Sequence, residues 1–180
     1  MRITEEYVFF YKDWIANFHQ APFVHYTPFG PCSKVVICQT SEQAFQFDKA
    51  RYFGDIELAN VILQCDDPKV ALVLGNRVKG FDSERWSKVR FDAMSQAVRE
   101  KFSGNFKLAM RLLDPVFDGK TFVEASPIDK YWGIGLAEDD PAVTDPNLWK
   151  GSNMLGTILT ELRGKLAERA ELSRQENAKV

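Results

Sequence analysis

Cysteine and histidine are scarce in this 180-residue chain, and net charge is almost absent. There are three cysteines, Cys32, Cys38 and Cys65, and two histidines. An odd number of thiols with no CxxC pair supports neither a disulfide framework nor a zinc site and points to a reducing compartment. His19 and His25 fall six residues apart in one early stretch, with no further Cys or His nearby to complete a ligand set, so no metal is expected. A formal charge of −2 and a pI near 5.8 remove the concentrated basic surface needed to grip nucleic acid by its phosphates. Brief contact with a modified nucleotide stays compatible with that balance. No window of about 18 apolar residues occurs, and the amino terminus lacks a basic stretch followed by an apolar one. The expectation is a cytoplasmic protein, or a nuclear one if the source has a nucleus, with no membrane contact. GxGxxG after a strand, GxxxxGKS or GxxxxGKT, HExxH and GxSxG are all missing, so the common cofactor and hydrolase signatures are absent.

What is present is an ordinary globular composition rich in aromatic side chains. Apolar residues make up 45%, charged residues 27% and aromatics 13%, with fourteen Phe and four Trp. That excess of rings over a modest core's needs leaves some to line a pocket for a planar ligand, although most should be core. The length fits one domain over residues 1–180, with its core at about 7–170 and a polar end that frays past Arg169.

Tyr7 to Tyr11 and Ser33 to Gln39 read as strands that could pair as a hairpin, with a proline-punctuated surface segment between them. Val35 to Cys38 reads as buried. A helix follows from Ser41, then short helices around Ile56 to Leu63 and from Pro68 to Gly75. A longer one runs from Asp82 through Trp86 to Phe102 by its apolar spacing, and another from Asn105 to Leu113. Lys120 to Ala125 is a third strand leading into the turn Ser126 to Gly135. Glu138 to Pro146 reads as an exposed loop, and a final helix begins near Asn153, whose side chain can cap it.

The stretch Thr40 to Lys49 concentrates the chemistry. Thr40 and Gln43 fit a capping box, so Glu42 lies in the first turn of its helix. At 3.6 residues per turn Glu42, Phe45 or Gln46, and Lys49 share a face, which would let an acid, an amide or ring and an amine line one wall of a cleft. The same spacing fits a solvated face with Glu and Lys complementing the helix dipole, the more common arrangement for polar helix residues. Other polar and aromatic residues, Asn17, Trp86, Glu124, Asp129, Trp132 and Asn153, each have a structural explanation of their own: a turn, core packing, a strand-end charge or a cap.

Taken together and in order, these pieces resemble the NADAR family, also described as YbiA-like, over roughly residues 7 to 170. The resemblance rests on Asn17-Phe18 with Ala21-Pro22-Phe23, Ser41-Glu42-Gln43-Ala44-Phe45-Gln46 with Lys49, Gly75-Asn76-Arg77-Val78 and Trp86. It continues through Glu124-Ala125-Ser126-Pro127-Ile128-Asp129, Tyr131-Trp132-Gly133-Ile134-Gly135 and Trp149-Lys150-Gly151-Ser152-Asn153. It implies a compact α+β fold, mainly helical with a few short strands, and a metal-independent, cofactor-free N-glycosidase. The substrate it implies is an ADP-ribosylated guanine or a phosphoribosylamino-pyrimidine intermediate of riboflavin biosynthesis. The implied catalytic residues are Glu42, Lys49 and Asp129, and two routes fit them: Glu42 acts as general acid and then base while the sugar passes through an oxocarbenium-like state, or Glu42 helps open the sugar and Lys49 attacks C1 to form a Schiff base. Asn17, Phe18, Gln46, Arg77, Trp86, Glu124, Tyr131, Trp132, Gly133 and Asn153 are implied to contact substrate. A module that binds ADP-ribose or a nucleotide without cleaving it is the alternative; keeping both Glu42 and Lys49 favours catalysis.

Overall fold

A computed structural model describes residues 1–178. In chain order the elements are β1 (Arg2–Ile3), β2 (Tyr7–Phe10), β3 (Phe23–Thr27), β4 (Lys34–Cys38), α1 (Ser41–Tyr52), α2 (Ile56–Ile62) and α3 (Pro68–Gly75). They continue as α4 (Ser83–Ser87), α5 (Arg90–Gly104), α6 (Phe106–Leu112), β5 (Thr121–Glu124) and α7 (Met154–Asn177). The fold class is α+β, mainly helical with a few short strands, as the resemblance implies. Among the described residues no helix is long and apolar enough to cross a membrane.

The described residues form two compact units, 1–16 with 106–178, and 17–105. In the first, β2 lies between β1, antiparallel, and β5, parallel, with Tyr7 opposite Thr121 and Phe10 opposite Glu124. The expected hairpin between the first two long strands is therefore replaced by pairing with a strand more than a hundred residues later. Phe9 and Val123 are buried in a cluster with Ala125, Ile134, Leu136 and Val143. Val143 overturns the expectation that residues 138–146 form only an exposed loop. Two short 3₁₀ turns, Pro141–Thr144 and Pro146–Leu148, fold that segment inward, and the Trp149 indole N–H donates to the Val143 carbonyl at 2.8 Å.

The start of α7 is built differently from the expected side-chain cap. Asn153 has φ 52, and its side chain makes no bond to the helix. Instead its Oδ1 accepts from the Glu124 N–H and its Nδ2 donates to the Phe122 carbonyl, both at 3.0 Å, stitching the helix start to β5. The orphan donors of the first turn find carbonyls in the preceding turn: Met154 N–H donates to Tyr131, and Leu155 N–H to Trp132. Gly156 lets α7 press against β5, because a Cβ there would lie 2.1 Å from the Phe122 carbonyl oxygen.

In the second unit β3 and β4 form the hairpin that the proline-punctuated segment concealed, with Val24 opposite Ile37 and Tyr26 opposite Val35. Its inner face buries Phe23, His25, Thr27 and Cys38, whereas Val35 and Ile37 are 57% and 65% exposed, so β4 is not the buried strand expected. α1 packs against α2, α3 and α5. The helix expected over residues 82–102 is two helices: Val89, with φ −125, interrupts it and leaves Trp86 on α4.

Candidate active site

The capping of α1 decides where its polar groups point. Thr40 Oγ1 accepts from the Gln43 N–H at 3.0 Å, as the sequence pattern requires. The Gln43 amide oxygen accepts from Gln39 N–H at 2.7 Å rather than closing the box on Thr40. Glu42 N–H donates to the Asn17 carbonyl at 3.2 Å, so the residue expected to touch substrate also anchors the first turn of the helix.

Glu42 and Lys49 do not form a solvated face. Their residues are 5% and 8% exposed, and Gln46 between them is 3% exposed. Eleven of the twelve α1 residues, all but Tyr52, are buried. Gln46 Nε2 donates to Glu42 Oε1 at 2.7 Å. Lys49 Nζ lies 4.4 Å from the centre of the Phe81 ring, a cation–π distance. Burial pulls the Lys49 ammonium below its usual range, and the Glu42 charge only partly opposes that pull. More of the amine is therefore free to act as a nucleophile near neutral pH than in an exposed lysine.

An aromatic wall surrounds this helix within the same unit. Trp86 packs 5.2 Å from Phe45 and 5.7 Å from Tyr52, and Phe53 packs 5.4 Å from Phe81. Trp86 is thus mostly enclosed by other rings, while Phe81 is 46% exposed beside Lys49. Phe18 is half-buried and Arg77 exposed. Phe81 carries one signal in the sequence, a large ring between Gly80 and the polar run Asp82-Ser83-Glu84-Arg85, and it was missed. Also missed was a charged triad around the buried His25, which joins Asp48 of α1 to the half-buried Glu100 of α5. His25 Nε2 lies 3.0 Å from Asp48 Oδ1, and its Nδ1 lies 2.5 Å from Glu100 Oε2. His25 was expected in an early loop; the alternation Phe23, His25, Thr27 was the available sign that it belongs to a strand.

The remaining candidates belong to the first unit. Asp129 Oδ1 accepts from the backbone N–H groups of Tyr131 and Trp132 at 2.8 and 2.7 Å, so that carboxylate holds the turn together. Tyr131 and Trp132 meet edge to face at 4.7 Å. Gly133 is required sterically, since a Cβ would lie 2.7 Å from the Glu124 carbonyl oxygen. Glu124 is half-buried at the end of β5. Among the described residues no group of three or more His, Cys, Asp or Glu side chains is arranged to hold a metal ion.

Known proteins resemble this chain in sequence and fold. Residues 9–167 match the NADAR domain. N-glycosidase R617 of Acanthamoeba polyphaga mimivirus is 35% identical over 89% of this chain and 96% of its own. N-glycosidase YbiA of Escherichia coli is 32% identical over 71% of this chain and 70% of its own. The NMR structure of E. coli YbiA superposes with a TM-score of 0.68 at 28% identity, over 94% of this chain and 89% of that one. Riboflavin biosynthesis protein VVA0006 of Vibrio vulnificus is 29% identical over 93% of this chain, which spans only 41% of that protein. The class these relationships define is an enzyme, a hydrolase acting on N-glycosyl bonds. The chain belongs to the NADAR family.

Proposed function

We propose that this enzyme cleaves the bond between ribose C1 and a nitrogen that was an exocyclic amine, using Glu42 and Lys49 on α1. The observation that carries the reading is the burial of a carboxylate and an amine two turns apart, with the amine held below its usual pKa. Glu42 relays the exocyclic N–H proton to the ring oxygen as the sugar opens to an imine at C1. Lys49 adds to C1, its two protons pass to the departing nitrogen, and the C1–N bond breaks to leave a lysine imine. Water then hydrolyses that imine, returning Lys49 and a free ribosyl product. Phe81 and the aromatic wall exclude water from the amine until the imine has formed.

Asp129, with one oxygen committed to two backbone donors, serves by shaping the turn that displays Tyr131, Trp132 and Gly133.

Two compounds share the required chemistry, ADP-ribosylated guanine and a phosphoribosylamino-pyrimidine. The likeness to a protein named for riboflavin biosynthesis supports testing the second, and the near absence of net charge supports small substrates over extended nucleic acid. Incubating the enzyme with each, side by side, and measuring free ribosyl product tests the reading. Release from either one is the expected result. Tight binding of both with release from neither identifies a non-catalytic nucleotide-binding module.

A further inference from the structure

One turn of α1 places Gln46 directly after Glu42, and the two side chains share a short hydrogen bond from Nε2 to Oε1. The other end of the same amide is unusual. Gln46 Oε1 is buried and has no hydrogen-bond partner. It faces Gly75, the last residue of α3, so closely that a Cβ at that position would lie 1.9 Å from Oε1 and 2.5 Å from Cδ. Turned over, the amide would set its oxygen against a carboxylate oxygen, so the observed orientation is the one a charged Glu42 selects. A buried amide oxygen left without a partner is costly, and it is retained here while the opposite end of the group holds Glu42.

We propose that Gln46 and Gly75 form a positioning pair that keeps the Glu42 carboxylate charged and in one rotamer, with glycine specified by the space the Gln46 amide occupies. Gln46 then acts through Glu42 rather than on the substrate. A donor bonded to the charged form favours that form, so the resting enzyme presents Glu42 as the proton acceptor with which the reaction begins. The importance of the pair for turnover rests on the role proposed above for Glu42; its effect on the carboxylate does not. Gly75→Ala should leave the fold intact, because the colliding atoms are the flexible end of a side chain rather than backbone.

The test is a carbon-13 NMR titration of the Glu42 carboxyl in the wild-type protein, Gln46→Leu, Gly75→Ala and the double variant, the resonance being assigned by its loss in Glu42→Gln. Each single variant should raise the Glu42 pKa by about one unit or more, as expected for loss of a charge-assisted hydrogen bond. The double variant should match Gln46→Leu alone. An unchanged pKa in Gln46→Leu, or a Gly75→Ala effect that adds in full to it, overturns the proposal, and Gln46→Leu alone decides should Gly75→Ala fail to fold. Because no substrate enters this measurement, shifts seen in a protein that releases no ribosyl product would refute the proposed function and leave the pair standing.

Discussion

The triad of buried His25 and Asp48 with half-buried Glu100 makes stability depend on pH in a direction that can be worked out. Burial of the ring by itself would push the imidazolium pKa down. The hydrogen bonds and charges of Asp48 and Glu100 outweigh burial and raise it from 6.5 to about 9. A folded-state pKa above the unfolded value means that the folded protein holds the proton more tightly. The stabilisation is therefore full below about pH 6.5, declines as pH rises, and is gone above about pH 9. That interval corresponds to about 3 kcal/mol. Lys101, buried on α5 with its pKa drawn down to about 7, runs the opposite way, because its stability contribution rises with pH up to its ordinary value of 10.5. The measurement must therefore be a difference. Urea unfolding of the wild type and of His25→Gln with Asp48→Asn, between about pH 6 and 9.5, should show the wild type's advantage shrinking by about 3 kcal/mol while Lys101 cancels. An advantage constant to within ~0.5 kcal/mol across that range would refute the charged-histidine reading.

Glu42→Gln should lower kcat by at least about 100-fold while unfolding like the wild type; near-normal product release would remove Glu42 from the chemistry. Borohydride added during turnover should reduce the imine and leave a ribosyl adduct on Lys49, visible by peptide mass spectrometry, and an active enzyme with no adduct would exclude the lysine imine. Asn153→Ala should cost about 3 kcal/mol, from two lost bonds to β5 and an alanine forced to positive φ. Asn153→Gly should cost about 1 kcal/mol less because the backbone strain is absent, and a glycine variant melting below the alanine one would contradict that division.

The parts of the fold legible in the sequence are those set by neighbours in the chain. Thr40 and Gln43 announced the start of α1, Asp67 and Pro68 that of α3, and Gly75 its end. What escaped depends on distant partners. β2 pairs with β5 rather than β4 because the choice lies in residues far downstream, and β3 was hidden by the prolines that flank it. At the site, spacing placed Glu42, Gln46 and Lys49 on one face, yet nothing local said that the face is buried, since that follows from α2, α3 and α5 closing around it. Asn153 looked like a helix cap because Asn commonly is one; its bonds to Phe122 and Glu124 exist only once β5 is in place. Phe81, the close approach of Gly75 to Gln46 and the His25 triad were missed for the same reason.

The enclosure of α1 also bears on how members of this family can diverge. A helix packed around nearly its whole circumference offers no idle side on which mutations accumulate harmlessly, and its polar residues are tied to particular neighbours. Substitutions that leave the fold intact should therefore fall in the segments that border α1, such as the stretch carrying Phe81, more often than in the helix itself.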